Sequence, residues 1–207
     1  MSSSIPAKVH TLISVAQATL GRHQSAIDPI GIEAKRVLAL LNPLPPLSGW
    51  FPKSTHPVTA FIGAAVKNEG EATAALMDVI TPVIRYLPWK YNYEPRTDLP
   101  DLGQRMGWAE LVGPEAPYRS DSVCLGLTLI ASDTHYPAHH HPANELYYVI
   151  TGTATWILDG VPHLYPPGSL ILHPSQSVHA MRTGAETLLV LYTWSEPDVA
   201  TLSDYSI

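Results

Sequence analysis

From Pro88 onward the sequence is cut into short runs that suit strands and are too brief for helices, and this punctuation limits the possible fold more than any other feature. Residues 108–112, 123–130, 145–150, 153–158, 169–172 and 187–194 each have strand length and β-branched or aromatic content, with Pro, Gly and Asp between them. Thr151-Gly152 predicts a tight hairpin between the third and fourth runs, and Asp159-Gly160 predicts the next turn. Many short strands at regular spacing suggest a closed barrel or a jelly roll.

Upstream of Pro88 the periodicity is helical. Val9, Leu12, Ile13, Ala16 and Leu20 recur at three- and four-residue intervals, ended by Gly21. Asp28 followed by Pro29 marks the start of a second helix, which stops before Asn42-Pro43. The proline-rich stretch 42–57 reads as an extended connector, and a third helix is expected over residues 70–86, with Pro82 as a kink. The chain therefore divides into a helical extension, residues 1–88, packing on a β domain, residues 89–207.

Composition closes off several functions. With 45% apolar and 14% charged residues the chain should fold without help from a cofactor. The net charge of −6 comes without a basic cluster, so nucleic acid and anionic membranes are not expected partners, and a small molecule is. No apolar run approaches the roughly 18 residues of a spanning helix, and residues 1–10 lack a signal peptide's charged start and apolar stretch; cytoplasm is the expected compartment. Cys124 is the single cysteine, which rules out an internal disulfide and a thiolate cage. Any metal site must be built from imidazole, carboxylate and phenol.

Those groups are concentrated between His135 and Tyr147. Alternation along a strand lets His139 and His141 point the same way, and likewise Glu145 and Tyr147 on the next strand. His179, eleven residues after Gly168, could return a third imidazole to the same cavity. Three imidazoles and one carboxylate leave room on an octahedral ion for substrate or water, which favours catalysis over a closed structural site. The set suits one divalent ion, Fe(II), Mn(II), Zn(II), Co(II) or Ni(II), without choosing among them. Against this stands the plain reading of adjacent histidines as a polar surface stretch. His140 should face away from its neighbours, His173 should face the barrel wall, and His10, His23, His56, His135 and His163 lack supporting spacing.

The order His139-x-His141-x3-Glu145-x6-Gly152, then Gly160-x5-Pro166-x-Gly168 leading to His179, resembles the two cupin motifs. With flanking strands the resemblance covers about half the chain, leaves out the N-terminal helices, and implies a mainly β fold: a cupin jelly-roll barrel with an N-terminal α-helical extension. Cupin habit also suggests a homodimer.

Two residues after the motif glutamate stands Tyr147, where ordinary cupins often carry an aliphatic residue. A free phenol ionises near pH 10, but an adjacent divalent cation favours the phenolate, so Tyr147 could serve as a base. Tyr136, three residues before His139, could be a second acid/base or position a substrate. The string from Tyr136 to Tyr147 resembles the cupin-type dimethylsulfoniopropionate lyases, which form dimethyl sulfide and acrylate. That resemblance implies His141, Glu145 and His179 as metal ligands with His139 as a fourth, Tyr147 as a base at the metal and Tyr136 in the cavity. It implies a substrate carrying a carboxylate and a sulfonium, for which Trp194 and Tyr136 offer aromatic faces. Asn144 departs from the expected acidic or similar residue and should face away from the metal. Trp194 reads equally well as wall packing, and Tyr86, Trp89, Tyr91 and Tyr93 as packing between helices and barrel, with a pocket role as the alternative.

Other readings remain open at this point: an Fe(II) cupin dioxygenase, a non-catalytic cupin that binds a small ligand, and more weakly a sugar isomerase. Oxygen consumption separates the first from a lyase, and indifference to Tyr147→Phe would mark the second.

Overall fold

The computed structural model describes residues 4–25, 27–67 and 70–205. Its helices are α1 (Ile5–Gly21), α2 (Pro29–Leu40), α3 (Ile62–Ala65), α4 (Ala74–Ile80) and α5 (Leu102–Arg105). The strands are β1 (Trp89–Lys90), β2 (Met106–Gly113), β3 (Tyr118–Arg119), β4 (Val123–Ile130), β5 (His135–His139), β6 (Asn144–Thr151), β7 (Ala154–Leu158), β8 (Val161–Tyr165), β9 (Leu170–His173), β10 (His179–Thr183) and β11 (Leu188–Ser195). They form two sheets, one ordered β1-β2-β4-β11-β6-β9 with β3 beside β2, the other β5-β10-β7-β8. All pairings are antiparallel except β2 with β3. This is the cupin jelly roll, with helices added at the N-terminal end.

Local chemistry starts both long helices. Ser4 Oγ accepts from the Ala7 N–H and Asp28 Oδ1 from the Gly31 N–H, each satisfying a first-turn amide that has no helical partner. The expected stripe Val9, Leu12, Ile13, Ala16 and Leu20 is buried. It packs against α4 and α2, and α2 lies on the large sheet, so that the stripe shares one core with Leu125, Leu127 and Leu129 of β4, Leu146, Tyr148 and Ile150 of β6, and Leu189 and Leu191 of β11. The intervening residues of the same strands, among them Tyr147, Val149, Val190 and Tyr192, belong to a second core inside the barrel. Both faces of the central strands are thus covered, which is why β4 is buried at every position.

Three expectations need correction. The third helix is shorter than residues 70–86: a 3-10 turn (Glu71–Thr73) leads into α4, and another (Ile84–Tyr86) follows it. Pro82 has no N–H to offer the Asp78 carbonyl, so the α ladder stops before it. The stretch 57–65, given no structure from sequence, holds a 3-10 turn and α3. Third, Thr151-Gly152 does not close a hairpin. β6 pairs with β9 and β11, whereas β7 pairs with β8 and β10, so the chain changes sheets at Gly152. There φ is +77°, and a Cβ would stand 2.4 Å from the Thr187 carbonyl oxygen, so only glycine fits the corner. Asp159-Gly160 does make its turn, with positive φ at both residues, and joins β7 to β8.

Gly126 shows how tightly the inner face is built. A Cβ there would lie 2.4 Å from the Ala109 carbonyl oxygen and 2.6 Å from the Tyr192 ring. Gly126→Ala is expected to cost about 2–3 kcal/mol through overpacking, read as a lower denaturant midpoint with unchanged slope. A midpoint equal to that of the parent protein would show that β2 and Tyr192 yield freely.

Candidate metal centre

Three strands and the turn after β5 deliver the site. His139 ends β5, His141 follows it, Glu145 lies near the start of β6 and His179 opens β10. His139 and His179 are cross-strand partners, while Glu145 pairs with Trp194 of β11 on one side and His173 of β9 on the other. All four side chains are buried at 2–3% exposure, so their polar atoms must find partners inside.

Hydrogen bonds set the tautomers. Nδ1 of His139, His141 and His179 stands 2.8, 3.1 and 2.9 Å from the carbonyl oxygens of Pro137, Ala143 and Ser177. A carbonyl only accepts, so each Nδ1 carries the proton and donates, leaving Nε2 as a lone pair. Nε2 of His141 and of His179 then lies 3.2 and 3.4 Å from Glu145 Oε2, acceptor facing acceptor. Such an arrangement needs a positive centre, either an extra proton on a ring or a shared cation. His179 Nε2 is buried without a hydrogen-bond partner, and the ligand atoms of His141, Glu145 and His179 all lie within 4.8 Å of one another. The donor set and the carbonyl-anchored rings fit a divalent cation.

Glu145 is held from both sides. Trp194 Nε1–H donates to Oε1 at 2.7 Å, and His173 Nδ1–H donates to Oε2 at 3.1 Å. Burial alone would raise this carboxyl, but His141, His173 and His179 outweigh burial and hold it well below the usual carboxylate range. Burial, with the neighbouring His179, pushes His139 well below its ordinary value and His173 down to about 4. The carboxylate is therefore charged and these two imidazoles neutral at pH 7, and for Glu145 and His139 those are the protonation states that ligation requires.

His139 stands beside the three-residue cluster, its ring 4.2 Å from that of His179 and 6.2 Å from that of His141. Tyr136, Tyr147 and Trp194 border the same cavity, whose volume is about 250 Å³. That is smaller than the roughly 300–1,000 Å³ of pockets for drug-sized ligands and suits a smaller solute. The Trp194 ring lies 4.4 Å from His141. The Tyr147 hydroxyl has Glu145 and Thr128 as its polar neighbours; burial first, then the Glu145 charge, hold it well above the ordinary phenol value. Burial and the nearby Tyr205 and Tyr93 do the same to Tyr136. Neither phenol is ionised at neutral pH unless a cation reverses this balance.

Asn144 faces away from the cluster, its amide donating to the Glu196 carbonyl and its oxygen accepting from the Ser175 N–H. His140 also points outward, to Gln176 Oε1 at 2.8 Å. His173 corrects the expectation from sequence: it is fully buried and stacks on His179 with ring centroids 3.9 Å apart. Strand alternation with Ile171 carried that information, but the following Pro174 hid the strand's length. Tyr93 lines the cavity, the alternative that its aromatic run offered, whereas Tyr205, close to Tyr136 without bordering the cavity, was not singled out from sequence, because a tyrosine near the C-terminal end carries no periodic signal.

Comparison with known proteins identifies the family. The family model of dimethylsulfoniopropionate lyase matches residues 33–191. Over 148 residues the chain is 28% identical to dimethylsulfoniopropionate lyase DddQ of Ruegeria pomeroyi, covering 69% of this chain and 74% of that protein. Over 174 residues it is 32% identical to DddL of Cereibacter sphaeroides, covering 81% and 72%. The crystal structure of DddQ from Ruegeria pomeroyi superposes with a TM-score of 0.80 over 96% of both chains, at 25% identity. By sequence and by fold, the chain belongs to the cupin-type dimethylsulfoniopropionate lyase family and is an enzyme of that family.

Proposed function

We propose that this enzyme cleaves dimethylsulfoniopropionate to dimethyl sulfide and acrylate by β-elimination, with a divalent metal held by His141, Glu145, His179 and His139. The observation that carries the reading is the convergence of carbonyl-anchored imidazoles on a charged carboxylate directly beside the Tyr147 hydroxyl. A bound divalent cation would act as a Lewis acid, drawing electron density from the substrate carboxylate and favouring the Tyr147 phenolate. Tyr147 takes the proton α to the carboxylate: an O–H bond forms and the C–H bond breaks. The released electron pair becomes the carbon–carbon double bond, and the carbon–sulfur bond breaks with its electrons leaving on neutral sulfide. Trp194 and Tyr136 offer aromatic faces to the sulfonium, a contact of about 0.5–2 kcal/mol depending on desolvation. Trp194 also holds Glu145 in place.

Gas chromatography of dimethyl sulfide from purified protein loaded separately with Fe(II), Mn(II), Zn(II), Co(II) or Ni(II) tests this directly. Release that requires metal and stops on chelation is the expected result. A folded, metallated protein that releases none with any of these ions overturns it, and oxygen uptake then tests the dioxygenase alternative.

A further inference from the structure

Beyond β11 the chain turns back along the cavity, and Val199, Ala200, Leu202 and Ser203 line one side of it. Several contacts hold this strap. The His140 N–H donates to the Asp204 carbonyl at 3.1 Å and the Asp204 N–H to the His140 carbonyl at 2.8 Å, one rung of sheet pairing next to His139 and His141. The Tyr93 hydroxyl donates to Ser203 Oγ at 2.8 Å. The Tyr205 hydroxyl donates to the Tyr136 hydroxyl at 3.1 Å.

Tyr205 itself is wedged among functional groups. Its ring lies 5.4 Å from that of His139 and 5.0 Å, edge to face, from that of Tyr93. The Arg96 guanidinium sits 5.4 Å from the ring centre and is fixed in turn by two hydrogen bonds to Asp98. Tyr205 does not border the cavity, whereas Tyr136 does. Its route to the chemistry therefore runs through Tyr136. The family match ends at residue 191, so nothing in that match covers the strap.

We infer that Tyr205 is a positioning residue of this active site: from the C-terminal strap it fixes the Tyr136 hydroxyl over the cavity by a phenol–phenol hydrogen bond and backs the His139 ring. The inference rests on the cavity being the site of elimination. A phenol on a buried ring can rotate its hydroxyl and slide by tenths of an ångström, and misplacement on that scale is costly in rate. Losing one such hydrogen bond is expected to lower kcat about five- to tenfold.

The test is a double-mutant cycle on the metal-loaded enzyme with dimethylsulfoniopropionate, using Tyr205→Phe, Tyr136→Phe and the pair, with melting temperature and metal content measured on each. Tyr205→Phe should lose five- to tenfold in kcat while KM stays within about twofold and melting temperature and metal content are unchanged. In the Tyr136→Phe background the same change should have no further effect, because the hydrogen-bond partner is already gone. Undiminished kcat, a loss that tracks lower melting temperature or metal content, or a loss that multiplies in the double variant would each overturn the assignment. Inactive parent enzyme would instead count against the proposed reaction.

Discussion

Replacing Tyr147 by phenylalanine is expected to slow dimethyl sulfide release about a thousandfold, within the 10²–10⁴ range that a positioned proton-transfer group contributes. The phenol is 5% exposed on the inner face of β6, two residues from Glu145, so the substitution deletes one hydroxyl and leaves the ring. That hydroxyl has Glu145 and Thr128 among its polar neighbours, and its loss should cost about 1 kcal/mol or less, a shift of about 2–4 °C for a chain of this size. Metal content should not change. Single-turnover release of dimethyl sulfide together with calorimetry separates these effects, and a variant retaining more than a tenth of the parent rate would remove Tyr147 from the role of base.

The second large effect belongs to Glu145. Glu145→Ala should abolish activity, but it also strips the acceptor from Trp194 Nε1–H and His173 Nδ1–H, each of which is left short of a partner at a cost of about 1–3 kcal/mol. The more telling variant is Glu145→Gln, which keeps the shape and one acceptor oxygen while removing the charge. In metal-free buffer it should fold with a melting temperature lowered by several degrees, because one of these two donors then faces the amide NH2 in place of an acceptor. Its metal affinity should fall at least about 100-fold, at or beyond what loss of an outer partner of a ligand costs, and release of dimethyl sulfide at limiting metal should fall with it. Metal analysis after gel filtration checks this. Full occupancy and full rate in Glu145→Gln would show that the cation, if it binds, does so without this carboxylate.

These two residues were legible because they sit in a compact string. His139, His141, Glu145 and Tyr147 fall within nine positions, and alternation alone groups their directions. His179 lies further off, yet its distance from Gly168 marks it. His173 was legible only in part: its pairing with Glu145 depends on β9 lying beside β6, and no local pattern names a strand's neighbour. The same blindness produced the false hairpin at Thr151-Gly152. Two adjacent strand-like runs joined by glycine read alike whether the chain folds back in one sheet or crosses to another, and what decides is the burial of Leu146, Tyr148 and Ile150 against the helices.

The sequence by itself determined the helical and strand-rich parts, the turn at Asp159-Gly160, the ends of the first two helices, and a set of candidate metal ligands. These follow from periodicity and from chemistry between near neighbours. Only the tertiary structure decided which strands meet, that Glu145 lies between Trp194 and His173, and that a strap ending at Tyr205 reaches Tyr136 from 69 positions away. Those contacts depend on how two sheets and a helical layer share the available apolar surface, a quantity that belongs to the folded chain as a whole and to no segment of it.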